Sequence, residues 1–363
     1  MTPPATAERG RVDRRAPARG RARARVRARF ARIVVVVLVT IGLVGARVPR
    51  ARAASGEASV PTRPSPGCKS SRAPERGERL DRSIEVDGVE RRYVLDVPTE
   101  PDPGTPLPLL LDFHGLGHSG AGVWRVSGFR ALARRTPFVT AYPEGLPVRL
   151  VTPYRVFEGV GWEVQSVQGN RDLAFVAALV DRIAADHCID LARVWATGFS
   201  NGAFLAQLLG CTMADRFAAV APVSGGALRG VACEPSRPVP ILIHHGRWDG
   251  ILPVGQGRAA RDAWSKIDSC AVDGPAASPA GSAVPLSPAG VGAPRATPSP
   301  AGDDEASREA AEAASVSCDI RTSCRAGSMV GYCEGDFGHW WPAGASERIR
   351  DFLFAHPLPP RRP

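Results

Sequence analysis

Between Leu107 and His244 the chain carries five short, predominantly apolar runs: 107–113 (LPLLLDF), 138–142, 193–197 (RVWAT), 217–222 and 239–244 (VPILIH). A strand wetted on one face alternates apolar with polar residues, whereas a strand covered on both faces reads as a nearly continuous apolar stretch. Helical patterns separate these runs. The clearest places Phe175, Val176, Leu179, Val180 and Ile183 at three- and four-residue steps behind Asp172, an acid suited to the positive end of a helix. Strands and helices in alternation predict an α/β domain, a mostly parallel central sheet with helices on both faces. A hairpin precedes it, because SIEV and ERRYVLDV alternate on either side of Asp87 and Gly88.

The rest of the 363 residues frames that domain. Residues 54–79 are Pro, Ser, Gly and Arg with hardly a large apolar side chain, and read as a flexible linker. Residues 271–317 hold no Phe, Tyr, Trp or Ile and are expected to be a disordered low-complexity insertion, unable to bury enough apolar surface to offset ordering. The folded domain is placed at 80–358, with 359–363 a disordered tail. Without the insertion its 232 residues suit one domain and leave little for a separate lid.

Positions 1–53 hold 14 basic residues against Glu8 and Asp13, a net +12, so everything after them sums to −2. A near-neutral body offers no electrostatic footprint for nucleic acid. In the leader, Arg recurs from 9 to 32, the run Ile33–Ala46 is uncharged, and Ala51 and Ala53 follow, which is the order of a secretory signal peptide cut before Ala54. Fourteen apolar residues fall short of the roughly 20 that cross a bilayer; the chain meets a membrane only if the leader stays uncleaved. Eight cysteines beyond the leader favour disulfides in an exported chain, with 105 possible pairings. No CxxC occurs and no Cys lies three or four residues from a His, so neither metal nor cofactor is expected.

Gly198, Phe199, Ser200, Asn201 and Gly202 form GxSxG. The motif is short, but it directly follows an apolar strand and opens an Ala, Phe, Leu helix, so Ser200 falls on the sharp strand-to-helix turn that exposes a nucleophile. Gly198 and Gly202 fit the crowding of such a turn. A hydroxyl needs a base and the base an orienting acid, which in this chain order follow as acid and then histidine. Asp249 follows the strand VPILIH, and His339 lies in the loop after the last strand. Asp336 is a rival acid in His339's own loop, and Asp172 reads as a helix-terminus residue. His244 and His245 are consecutive on a strand, leave it on opposite faces and do not share a metal. The oxyanion donors are assigned to the backbone N–H groups of Leu116, in the His114–Gly117 loop after the first buried strand, and of Asn201.

Taken in order, LLLDFHGLG at 109–117, DLAFVAALVDRI at 172–183, CIDLARVWATGFSNGA at 188–203, FAAVAPVSG at 217–225, VPILIHHGRWDGILPV at 239–254 and GHWWP at 338–342 resemble the polyhydroxybutyrate depolymerase and feruloyl esterase family of secreted α/β hydrolases over about residues 85–356. The resemblance implies an α/β-hydrolase fold and the triad Ser200, Asp249, His339; the chain is expected to be a monomer without cofactor. It implies a serine esterase acting on feruloyl or acetyl esters of plant polysaccharide or on hydroxyalkanoate oligomers. A serine peptidase and a catalytically idle binding protein on the same fold are the alternatives. Arg247 and the segment Asp336, Phe337, Gly338 depart from the family pattern near the mouth of the site, where they bear on substrate choice. The family staples the region around the insertion, so Cys270 is expected to pair with Cys318 or Cys324; Cys211 with Cys233 and Cys68 with Cys188 are further expectations.

Overall fold

A computed structural model of the chain describes residues 60–70, 75–99, 104–152, 156–271, 312–313 and 315–360. The expected signal peptide, part of the linker, most of the insertion and the last three residues lie outside these. In chain order the strands are β1 (Gly77–Val86), β2 (Val89–Val97), β3 (Leu107–Phe113), β4 (Val139–Pro143), β5 (Leu146–Val151), β6 (Val156–Gly161), β7 (Ile189–Phe199), β8 (Ala219–Val223), β9 (Ile241–Gly246), β10 (Ser317–Arg321) and β11 (Val330–Gly335). The helices are α1 (Gly120–Val126), α2 (Phe129–Ala133), α3 (Arg171–Asp186), α4 (Asn201–Thr212), α5 (Val254–Ile267) and α6 (Ala345–Phe354).

Nine strands form one sheet in the order β1-β2-β4-β3-β7-β8-β9-β11-β10. Pairings from β4 through β11 are parallel; β1, β2 and β10 join antiparallel at the two edges. Asp87 and Gly88 both take positive φ, 50° and 77°, as a two-residue hairpin turn between β1 and β2 requires. Residues that alternate along the parallel strands feed two cores. Leu109, Leu111 and Phe113 pack with Phe175, Leu179, Leu205 and Trp264 of α3, α4 and α5, while Leu110, Trp195 and Leu242 pack with Phe129, Ile349 and Phe352 of α2 and α6. This two-sided covering is why the strands lack polar alternation.

Four features differ from the sequence reading. The helix carrying Phe175 is capped by Asn170, whose Oδ1 accepts from the N–H groups of Asp172 and Leu173 at 2.9 and 3.0 Å. Asp172 occupies the first turn, but its buried carboxylate accepts from Arg91 Nη2 at 2.6 Å and from Glu163 N at 2.7 Å. The segment expected as linker is attached well before Leu80: Ser65 N donates to Ile189 O at 2.8 Å, Leu191 N to Arg63 O at 2.8 Å, and Cys68 is bonded to Cys188. Backbone pairing and a covalent staple hold it where apolar burial does not. The far end of the insertion is likewise engaged, since Glu312 and Ser315 hydrogen-bond the loop that follows β11, and β10 begins at Ser317. Finally, β5 and β6 form a separate antiparallel hairpin that the apolar pattern did not reveal.

Eight cysteines form four disulfides, Cys68–Cys188, Cys211–Cys233, Cys270–Cys324 and Cys318–Cys333. Of the two partners left open for Cys270, the bridge is to Cys324.

Candidate active site

Strand β7 ends at Phe199 and α4 starts at Asn201, leaving Ser200 alone to make the turn, with φ 53° and ψ −113°. A non-glycine residue at positive φ is strained, and such strain is tolerated where surrounding structure over-determines it. The two glycines supply the room. A Cβ on Gly198 would stand 2.6 Å from Gly202 O, and one on Gly202 would strike Phe113 O and lie 2.7 Å from His114 O. Ser200 N donates to Val223 O at 2.9 Å, which ties the turn to the end of β8.

Loops at the ends of β9 and β11 bring the other two groups. His339 Nε2 lies 2.9 Å from Ser200 Oγ, and His339 Nδ1 lies 2.7 Å from Asp249 Oδ2. Because a carboxylate only accepts, Nδ1 carries the proton and Nε2 presents a lone pair to the serine hydroxyl. Asp249 Oδ1 accepts from the N–H groups of Ile251 and Leu252 at 2.9 and 2.7 Å, which fixes its rotamer. Burial pushes its carboxyl pKa up, but the hydrogen bonds from His339 and these two amides outweigh it, and the net shift is downward. The acid is thus held ionised beside the imidazole. The Phe199 ring packs against His339 with centroids 4.8 Å apart.

The rival Asp336 turns away. Half exposed, it accepts from Arg247 Nη1 at 2.7 Å, and Arg247 Nε also reaches Glu334 at 3.0 Å. Glu334 is further gripped by Arg258, whose hydrogen bonds pull its carboxyl down to about 2. His245 and His244 do leave β9 on opposite faces. His245 Nε2 donates to Leu252 O at 2.7 Å and sits 3.5 Å from Asp249 Oδ2, while His244 lies under Arg348. Among the described residues no cluster of His, Cys, Asp or Glu is arranged to hold a metal ion.

The loop after β3 lies against the elbow, with a Cβ built on Gly115 only 3.4 Å from Ser200 Cβ. It is pinned by Gly117 N donating to Val160 O at 2.8 Å and His118 N to Gly115 O at 3.0 Å. His114 is fully buried, accepts from Gly145 N at 2.9 Å through Nε2, and is kept neutral by burial, its pKa falling to about 4. Neither Leu116 N–H nor Asn201 N–H has a hydrogen-bond partner among the described residues. Sequence reasoning missed Trp162, at the end of the β5–β6 hairpin. Its N–H donates to Asn201 Oδ1 at 2.7 Å, Asn201 Nδ2 returns a bond to Trp162 O at 3.1 Å, and its indole Nε1 donates to His114 O at 2.8 Å. One residue therefore braces both the elbow and the loop beside it. No motif flags it; a lone Trp after a short hairpin reads as core.

Comparison with known proteins bears on this geometry. Residues 93–265 match the family model described as esterase PHB depolymerase. The chain is similar to feruloyl esterase D of Neurospora crassa, 28% identical over 218 residues that make up 57% of this chain and 69% of that one. It is also similar to feruloyl esterase C of Emericella nidulans, 29% identical over 187 residues, 50% of this chain and 63% of the other. A bifunctional acetylxylan esterase/xylanase of Neocallimastix patriciarum is 32% identical over 145 residues, 40% of this chain and a fifth of its own length. The solved structure of acetyl xylan esterase from Aspergillus awamori superposes with a TM-score of 0.52 at 15% identity, covering 76% of this chain and 99% of that one, a likeness of fold.

Proposed function

Taking the chain as a member of the polyhydroxybutyrate depolymerase and feruloyl esterase family of carboxylic ester hydrolases, we propose that it is an exported serine esterase acting through Ser200, Asp249 and His339 on hydroxycinnamoyl or acetyl esters of polysaccharide. The observation that carries the reading is the continuous hydrogen-bond chain from Ser200 Oγ through His339 to Asp249, at a strained strand-to-helix turn.

In this mechanism Ser200 Oγ attacks the ester carbonyl carbon as its proton passes to His339 Nε2. The imidazolium that forms is stabilised by Asp249, which stays ionised. Charge developing on the carbonyl oxygen is met by the Leu116 and Asn201 N–H groups, preorganised by Trp162 and the Gly117–Val160 hydrogen bond. Collapse breaks the bond to the alcohol, whose oxygen takes the proton from Nε2, and leaves an acyl group on Ser200. Water then attacks the acyl carbon as its proton passes to His339 Nε2, and collapse breaks the bond to Ser200 Oγ, which takes that proton back from Nε2 as the acid is released.

The feruloyl esterase and acetylxylan esterase/xylanase among the relatives favour polysaccharide esters, and the four disulfides suit an oxidising compartment reached through the 1–53 leader. The test is turnover by purified residues 54–363 of methyl ferulate, p-nitrophenyl acetate and hydroxybutyrate oligomers, beside Ser200→Ala. Hydrolysis of the first two that falls by several orders of magnitude in the variant supports the reading. Activity on none, or activity that survives Ser200→Ala, overturns it.

A further inference from the structure

Two tryptophans border the triad. Trp248, immediately before Asp249, is 70% exposed, and Trp340, immediately after His339, is 50% exposed, with Ile251 at 61% in the same loop as Trp248. Tryptophan in a monomer is ordinarily well covered, and exposed apolar surface concentrated at one place marks a binding site. Both residues stand on one ledge of paired backbone. The segments 246–249 and 335–339 run side by side, with Arg247 N donating to Gly335 O at 2.9 Å and Trp248 N to Phe337 O at 3.0 Å. A Cβ on Gly246 would lie 2.7 Å from Gly338 O, so the two backbones touch. The six-membered ring of Trp340 rests on Gly338, where a Cβ would come within 2.9 Å of its Cε3. Its Nε1 donates to Glu312 Oε2 at 3.1 Å, and Glu312 Oε1 accepts from Ala343 N at 2.9 Å. Thus the indole is fixed at both ends while half of it stays in water.

We propose that this ledge is the subsite for the alcohol half of the substrate, and that its occupant is a sugar ring of a polysaccharide ester. The inference rests on the esterase reading above and adds to it which half of the ester is recognised, and by what. His339 Nε2 must deliver its proton to the departing alcohol oxygen, so the alcohol emerges on the histidine side of Ser200, the side whose two loops carry Trp248 and Trp340 next to Asp249 and His339. The carbonyl oxygen points toward the Leu116 N–H, away from the histidine, so it does not compete with the alcohol for the histidine side.

A pyranose ring presents a flat face of C–H groups rimmed by hydroxyls. Exposed indole faces match the first, and the Glu312 carboxylate, with two of its roughly four acceptor positions used, offers a partner to the second. An alkyl chain would use the indoles and leave the carboxylate facing apolar groups.

The experiment compares three esters sharing a feruloyl group, methyl ferulate, octyl ferulate and ferulate carried on a xylo-oligosaccharide, in the full exported chain and in Trp248→Ala, Trp340→Ala and Trp340→Phe. In the alanine variants kcat/KM for the sugar ester should fall about tenfold further than for the methyl ester, mainly through KM, with Trp340→Phe recovering much of the loss. Equal losses on both esters, or a larger loss on octyl ferulate than on the sugar ester, overturn the subsite. A second measurement needs no turnover: titrating unesterified xylo-oligosaccharide into Ser200→Ala should give saturable quenching of tryptophan fluorescence that Trp248→Ala in the same background weakens. Absence of quenching overturns the subsite even in an active esterase. Failure of the esterase reading shows separately, as lack of Ser200 labelling by a fluorophosphonate.

Discussion

Asp112 lies in the middle of the sheet on β3, two residues before His114, and is fully buried. Neither of its carboxylate oxygens has a hydrogen-bond partner among the described residues, nor do the hydroxyls of Ser127, Thr140 and Tyr142. Burial drives its pKa up from 3.8 to about 7, opposed only by the Ser127 hydroxyl. The native chain therefore keeps a proton that the unfolded chain has released, and stability falls as pH rises from about 4 to about 7. The rise from 3.8 to about 7, at about 1.36 kcal/mol per pH unit, makes the loss on the order of 4 kcal/mol. Asp112→Asn carries no titrating proton, so it should show none of that loss. The assay is urea unfolding of the disulfide-intact protein at pH 4 and pH 8, followed by tryptophan fluorescence. All other titrating groups are common to both proteins and cancel in the difference. The stability of Asp112→Asn relative to wild type should improve by up to about 4 kcal/mol between the two pH values. A gap that stays constant would refute the reasoning, by showing that the native carboxylate is already ionised at neutral pH.

Asp249→Asn should lower kcat by about four orders of magnitude by removing the acceptor that selects the His339 tautomer, whereas Asp336→Asn loses only an exposed pair with Arg247 and should change kcat less than about threefold; steady-state kinetics on methyl ferulate decide between the two acids. Replacing residues 273–310 with a flexible linker of about 15 residues should leave melting temperature and small-ester turnover nearly unchanged. Extending the replacement to residue 315 removes Glu312 and Ser315 and should lower turnover, because both hold the loop that carries His339. Cys68→Ser with Cys188→Ser opens a link across 120 residues and should lower stability by roughly 4 kcal/mol in chemical unfolding, with kcat little affected.

The parallel strands were legible because sandwiching between helix layers removes polar alternation, so β3, β7, β8 and β9 appear as apolar runs within two or so residues of their ends, apart from the first four residues of β7. The site was legible because an elbow demands glycines at 198 and 202, and because strand ends in this topology present the acid and the histidine in a set order. What the sequence hid depends on contacts rather than pattern. The β5–β6 hairpin (LPVRLV and VFEGVG) is short, partly exposed and alternates weakly, yet it positions Trp162 under the elbow. Residues 63–68 have the composition of a linker but are fastened by Cys68 and by hydrogen bonds to the edge of β7. Glu312 lies in a polar, low-complexity stretch, and only its placement beside Trp340 and Ala343 reveals a role. Asp172 is at the helix terminus where the sequence put it, in the first turn of α3, whereas the cap itself, Asn170, lies three residues before the first apolar position at Leu173 and shows itself only through its bonds to the Asp172 and Leu173 N–H groups.

The claim on which the account turns is that an acyl group is carried on Ser200. Mixing the protein with p-nitrophenyl acetate, quenching in acid within the first turnovers and mapping the peptides by mass spectrometry tests it directly. An acetyl group is expected on the peptide that spans Gly198 to Gly202, located at Ser200 and absent in Ser200→Ala. An acetyl group on another residue that forms at the rate of turnover, or turnover that continues in Ser200→Ala, would contradict it.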